Sequence, residues 1–214
     1  MVGRVWNSRG TKKDEWFRPE LNFQFKSQTS LSGGYLWSNE LFGGEEINGI
    51  ERWDIHLNTR PVQVFDLYAN YEQGKFVARN ADPPRLGDGK GFSTGVTIQP
   101  VSRFSIEPSW RWQRLEDMDT GGTDTPGFFE GWITRVRMNL QFTRQFFLRL
   151  IYQYNDFSSG YDLEPLLTYR INPFTVFYVG SAHRWTDFEE DFSDFGIEET
   201  ERQYFAKFQV LFNN

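Results

Sequence analysis

Charged side chains recur at every second position in several apolar segments of this 214-residue chain. Ten of these polar positions, including one histidine, are our candidates for lining a lumen: Arg52, Asp54, His56, Glu107, Arg111, Arg135, Arg137, Arg149, Glu164 and Arg170. A ring of fixed charges sets the ion selectivity of a pore. The same side chains can instead pair with one another and fill a narrow barrel. The set therefore indicates either a conduction path or a structural network.

The two histidines, His56 and His183, are the candidates for catalysis. An outer-membrane phospholipase would need a histidine paired with a serine on the outward surface. His56 is predicted to lie on the polar face beside Asp54, with no adjacent serine signature. We therefore predict no catalytic residue and no enzyme activity. Loss of lipid hydrolysis on changing His56 or His183 would reverse that prediction.

Carboxylates cluster in the glycine-rich segment 117–124. Asp117, Asp119 and Asp124 are weak candidates for holding calcium, which prefers clustered carboxylate oxygens. Their spacing does not follow the EF-hand pattern, and a solvated surface run is the simpler interpretation. We predict no resident metal and no cofactor.

The elements that would position these side chains are strands, because apolar residues alternate with polar ones throughout the chain. The clearest signal is the aromatic-rich alternation at the end of the sequence, from Tyr204 to Phe212, which is typical of outer-membrane barrels. Twelve strands are predicted, near 2–7, 16–26, 30–39, 51–59, 63–74, 91–99, 103–114, 130–142, 146–156, 162–171, 174–185 and 203–213. The predicted fold class is all-β, an up-and-down antiparallel transmembrane β-barrel of about 12 strands.

The lengths of the connections predict the orientation of such a barrel, with the long loops outside and the short turns on the periplasmic side. Tight connections alternate with long polar ones, which are predicted at 7–15, 39–50, 80–90, 116–129 and 186–202. The tryptophan and tyrosine residues near the long connections are predicted to lie at the membrane–water boundary. They are Tyr35, Trp37, Trp53, Trp110, Trp112, Trp132, Tyr152 and Tyr154.

Composition limits the alternatives. The chain has no cysteine, a net charge of −6 and no basic stripe, which argues against nucleic acid as a partner. No signal peptide is visible at Met1–Arg4, so we expect a mature or truncated form. Residues 1–214 are predicted to form one domain, either a whole barrel or part of a larger one. A soluble all-β binding protein, such as a β-sandwich or lipocalin-like barrel, also alternates apolar and polar residues and stays open as an alternative.

Two segments carry a family resemblance. Residues 142–157, FTRQFFLRLIYQYNDF, and 166–180, LLTYRINPFTVFYVG, resemble the C-terminal barrel of a bacterial family of unassigned function. In that family an N-terminal carbohydrate-binding domain of the family-nine type precedes the barrel. This chain has Phe174 where the family usually has glycine, and it lacks the N-terminal domain. The resemblance implies a truncated or minimal barrel, and carbohydrate binding is not carried over.

Together these observations predict an outer-membrane β-barrel of a Gram-negative-type bacterium. The first functional hypothesis is a passive channel or transport barrel for small polar solutes, with outer-membrane lipid as its surroundings. The alternative is a structural or interaction barrel, an anchor or subunit without an open pore. The sequence leaves the oligomeric state open.

Overall fold

The computed structural model describes residues 1–118, 127–188 and 196–211, and these residues are almost entirely strand. The thirteen strands are β1 Val2–Trp6, β2 Lys12–Phe17, β3 Glu20–Phe25, β4 Thr29–Phe42, β5 Glu45–Val62, β6 Phe65–Ala78, β7 Arg85–Val101, β8 Phe104–Asp117, β9 Phe129–Gln141, β10 Phe146–Asn155, β11 Gly160–Asn172, β12 Thr175–Asp187 and β13 Ile197–Val210. A short 3₁₀ turn, Asp156–Ser158, joins β10 to β11. No helix in the described part of the chain is long and apolar enough to cross a membrane.

The strands follow one another in the sheet in chain order, except that β2 and β3 both lie beside β4. The pairs β1–β2, β2–β4, β3–β4, β4–β5, β9–β10, β10–β11, β11–β12 and β12–β13 are antiparallel. The fold class is all-β and up-and-down antiparallel, the strand order of outer-membrane β-barrels, as the sequence predicts. The thirteenth strand arises because the predicted strand 16–26 is interrupted. Proline has no backbone N–H to donate, and Pro19 separates β2 from β3. Both pieces pair with β4, so they occupy a single position in the sheet.

Several predicted long connections are wrong, because the strands extend through them. Residues 39–50 are not a loop: β4 continues to Phe42, and β5 begins at Glu45. The turn is Gly43–Gly44, whose φ angles of 63° and 93° are the left-handed values that tight hairpins require. The predicted connection 186–202 is likewise shortened, since β13 begins at Ile197. Tight connections predicted near 26–30, 143–145 and 171–174 are confirmed, since short gaps separate β3 from β4, β9 from β10 and β11 from β12. The tight connection predicted at 59–62 is wrong: β5 continues to Val62, and the turn is Gln63–Val64.

The strands form two compact units. Unit 1 comprises Met1–Pro61, Leu67–Thr94 and Arg111–Gly131, and unit 2 comprises Val62–Asp66, Gly95–Trp110 and Trp132–Asn214. Within each unit, successive side chains point to opposite faces of the sheet. In unit 1, for example, Trp53 lies opposite Tyr35, while the next residue, Asp54, lies opposite Gly34.

One face of each unit is apolar and stays uncovered. In unit 1 it carries Leu21 and Phe23, and in unit 2 it carries Phe177, Val179 and Phe208, all exposed. Large apolar side chains exposed in rows over neighbouring strands are unfavourable in water and are the normal surface of a membrane-spanning sheet.

Candidate functional site

A network of polar side chains crosses the opposite face of unit 1. At its centre is Asp54, only 8% exposed. Arg18 Nη2 donates to Asp54 Oδ1 at 3.0 Å, and His56 Nε2 lies 3.0 Å from Asp54 Oδ2. His56 Nδ1 is 2.8 Å from Asn70 Oδ1, and Asn70 Nδ2 donates to Ser93 Oγ at 3.1 Å. Side-chain contacts therefore link the segment between β2 and β3 to β5, β6 and β7, in addition to the backbone hydrogen bonds of the sheet.

Glycine makes room for this network. A Cβ built at Gly34 would lie 3.0 Å from Asp54 Oδ2, so a larger residue there would push the carboxylate away from its partners. Beside the network, His56 and Asn70 line a cavity of about 300 Å³ together with Glu72 and Arg111. The cavity walls therefore carry charges of both signs.

The polar face of unit 2 carries a network of its own. Arg137 Nε donates to Glu107 Oε2 at 2.9 Å. Asn139 Nδ2 lies within reach of Ser105 Oγ at 3.1 Å and of Glu107 Oε1 at 3.3 Å. These contacts join β8 to β9 and neutralise one arginine of the polar face.

A cavity of about 440 Å³ in unit 2 has a different electrostatic character. Arg103, Arg149 and Arg170 line it, with Tyr178 on β12. The Arg170 guanidinium lies over the Phe147 ring, 5.3 Å from its centroid, which is within the distance of a cation–π contact. No carboxylate occurs among the described residues that line this cavity. It is therefore a cationic surface suited to an anion.

The ten predicted lumen charges all fall on the polar face of their unit. Unit 1 holds Arg52, Asp54, His56 and Arg111, and unit 2 holds Glu107, Arg135, Arg137, Arg149, Glu164 and Arg170. Their grouping follows from strand alternation and from the register of the pairs. That this face lines an aqueous lumen stays a prediction.

The predicted interface aromatics lie on the other face. Trp53 packs against Tyr71 with ring centroids 5.1 Å apart, and Trp132 packs against Tyr154 at 4.7 Å. Trp112 Nε1 donates to a carboxylate oxygen of Glu130 at 3.3 Å. Rings with one apolar face and one polar contact suit a membrane–water boundary. Their position at that boundary stays a prediction.

Two of the three calcium candidates, Asp119 and Asp124, lie outside the described residues, so the calcium site stays a prediction. The third, Asp117, accepts hydrogen bonds from Arg85. The segment 91–95, GFSTG, has the spacing of a nucleophile elbow, yet it lies inside β7 rather than at a strand-to-helix turn. Its Ser93 is part of the unit 1 network.

His183 lies on the apolar face of unit 2. Its neighbours there include Ser181 and Glu199, which the sequence analysis did not connect with it. The pairing with Ser181 could have been predicted, because residues two apart on a strand lie on the same face of the sheet. The pairing with Glu199 could not, because a register shift between Arg184 and Trp185 changes the face on which Glu199 lies.

Comparisons with known proteins find similar solved structures but no matching family model or curated protein. Among solved structures the chain is similar to the KdgM porin in complex with disordered oligogalacturonate, at 10% identity over 94% of this chain and 96% of that chain, with a TM-score of 0.39. It is also similar to the NanC porin, at 10% identity over 94% of each chain with a TM-score of 0.39. A Pseudomonas aeruginosa FadL homologue matches at 11% identity over 98% of this chain and 71% of that chain, with a TM-score of 0.42. With scores below 0.5, these similarities carry no solute or mechanism over to this chain.

Proposed function

We propose that this chain is an outer-membrane barrel that passes small polar solutes passively and prefers anions. The observation that carries the proposal is the cavity of unit 2 that Arg103, Arg149 and Arg170 line, where no carboxylate occurs among the described lining residues. Fixed positive charge in a confined polar space raises the local concentration of anions and lowers that of cations. The uncovered apolar face of each unit supports the membrane setting.

The test is planar-bilayer recording of the refolded full chain under a potassium chloride gradient. We expect discrete conductance steps and a reversal potential of the sign that anion preference gives. Arg149→Gln should move the reversal potential toward zero, because it removes one charge from the cavity. The matched control is Arg114→Gln. Arg114 bonds Glu116 and lies 3.5 Å from Glu130, on the same face as Trp112, so its loss should leave the reversal potential unchanged.

Two results would contradict the proposal. A folded protein that leaves the bilayer electrically silent would eliminate the channel. Equal shifts in Arg149→Gln and Arg114→Gln would show that the polar face of unit 2 does not line the conduction path.

A structural barrel without an open pore is the second candidate. The unit 1 network favours it, since side-chain contacts link Arg18, Asp54, His56, Asn70 and Ser93 in one chain across the polar face. The same recording separates the two candidates, because a structural barrel gives no conductance steps. The resemblance to a family of unassigned function is compatible with either.

A further inference from the structure

Three side chains of unit 2 form a serine–histidine–carboxylate relay. His183 Nδ1 lies 2.8 Å from Glu199 Oε1, and His183 Nε2 lies 3.1 Å from Ser181 Oγ. An ionised carboxylate only accepts hydrogen bonds, so the Nδ1 hydrogen points to Glu199. In the neutral ring, Nε2 is then a lone-pair acceptor for the Ser181 hydroxyl. We propose that Ser181, His183 and Glu199 are a catalytic triad that hydrolyses carboxylic ester bonds of membrane lipids.

A β-bulge brings the carboxylate to the relay. Along β12 and β13, Ser181 pairs with Tyr204 and His183 with Arg202, but the register shifts after Arg184, and Trp185 pairs with Glu199. Thr200 is the extra residue. Without it, strict alternation would place Glu199 on the polar face, away from His183. Bulges are frequent beside active sites because they redirect one side chain in this way.

The relay lies where an aromatic belt meets the apolar surface. Trp132, Tyr154 and Tyr161 form successive ring pairs with centroids 4.7 Å apart. Tyr161 pairs in register with Trp185, whose ring stacks on His183 at 5.6 Å. Aromatic belts of this kind mark the level of lipid headgroups.

Below the belt the same face is mainly apolar. Ser181 is followed along β12, away from His183, by Val179 and Phe177, and Phe208 on β13 lies opposite Phe177. All three apolar side chains are exposed. Ser181 therefore lies between a surface for acyl chains and a belt for headgroups, which is the level of the ester bonds of a glycerolipid.

Arg202 is a positioning residue for the carboxylate. Its Nε donates to Glu199 Oε1 at 2.8 Å, and its second nitrogen bonds Oε2, so the carboxylate is held in one orientation. The guanidinium is otherwise exposed on the same face and can bind the phosphate of a headgroup. This favours a phospholipid over an uncharged ester.

The reaction follows from the geometry. Ser181 Oγ attacks the ester carbonyl carbon while its proton passes to His183 Nε2, and Glu199 stabilises the imidazolium that forms. The C–O bond to the glycerol oxygen then breaks, and that oxygen takes the proton from His183. The products are a lysolipid and an acyl-serine. Water, deprotonated by His183, releases the fatty acid and restores Ser181, so the net reaction consumes one water.

The other histidine shows that this arrangement is specific. His56 has an oxygen acceptor at each ring nitrogen, Asp54 on one side and Asn70 on the other. Of the two histidines, it is His183 that joins a carboxylate to a hydroxyl within the part of the chain that the structure describes.

The experiment uses the full chain refolded in detergent micelles and in phosphatidylethanolamine vesicles. Fatty-acid release from the vesicles is measured, and a fluorophosphonate probe followed by peptide mass spectrometry identifies any reactive serine. We expect fatty-acid release and probe labelling at Ser181. Ser181→Ala and His183→Gln should each lower release by about 10³-fold or more. Glu199→Gln, which keeps the shape and loses the charge, should lower it by about 10²- to 10⁴-fold, with labelling slowed in parallel.

The matched control is Ser109→Ala on β8, whose hydroxyl donates to the Arg135 carbonyl at 3.3 Å. It should keep full release and full labelling. Heat-dependent gel mobility establishes that each variant is folded. The proposal is overturned by folded protein that neither releases fatty acid nor labels at Ser181, or by undiminished release in Ser181→Ala. Cleavage of a water-soluble short ester without release from vesicles would overturn the lipid assignment. The conductance test does not depend on any of these results.

Discussion

The buried carboxylate of unit 1 gives the sharpest stability prediction. Asp54→Ala removes the acceptor of one charge-assisted bond from Arg18 and of one contact with His56. A bond to a charged group contributes about 1.5–3 kcal/mol, and breaking a fully buried pair costs about 3–5 kcal/mol. The remaining partners are 34% and 41% exposed, so water reaches them, and Glu20 stays 2.9 Å from Arg18 Nε. We therefore expect a loss of about 2–3 kcal/mol in the free energy of unfolding.

The assay is urea unfolding in lipid vesicles at a fixed lipid-to-protein ratio, followed by tryptophan fluorescence and by gel mobility. Asp54→Asn should lose less, about 1–2 kcal/mol, because the amide oxygen still accepts from Arg18. The control is Glu201→Ala, which removes an ion pair to Arg184 in which the carboxylate is 57% exposed. Such pairs contribute about 0–1 kcal/mol. A cost for Asp54→Ala within about 0.5 kcal/mol of wild type, or no larger than that of Glu201→Ala, would refute the reasoning.

Two further predictions concern packing, and both are measured by the same unfolding assay. Trp132→Ala should cost about 1–3 kcal/mol because it removes the ring pair with Tyr154 at 4.7 Å, while Trp132→Phe should keep most of that stability; equal costs would contradict the ring-pair account. Gly180→Val should cost about 1–3 kcal/mol, since a Cβ there would lie 2.6 Å from the Phe205 ring and 3.0 Å from the Pro165 carbonyl oxygen. The double variant with Phe205→Ala should recover only part of it, because the backbone contact remains; wild-type stability in Gly180→Val would disprove the crowding.

Alternation made the faces of the sheet predictable from the sequence. It depends only on the two-residue period of a strand, so Asp54 and Trp53 were assigned to opposite faces without knowledge of their partners. The ends of the strands were not predictable in this way. Residues 39–50 are polar and glycine-containing, which is typical of a loop, yet their backbone groups pair with one another across the Gly43–Gly44 turn. Where strands extend past their alternating apolar segments, backbone hydrogen bonds hold them together. The pattern of side chains does not reveal these bonds.

The same dependence on alternation explains why the relay of unit 2 was missed. Ser181 and His183 are two residues apart on one strand, and the sequence alone puts them on one face. By strict alternation Glu199 would lie on the face opposite to that of Arg202 and Tyr204. The extra residue Thr200 brings it to their face. A β-bulge shifts the following side chains to the other face of the sheet, and a single sequence gives no reliable sign of it. At Thr200 the break in strict alternation redirects Glu199 to meet His183, and such a break next to a histidine and a serine is itself an indication of function.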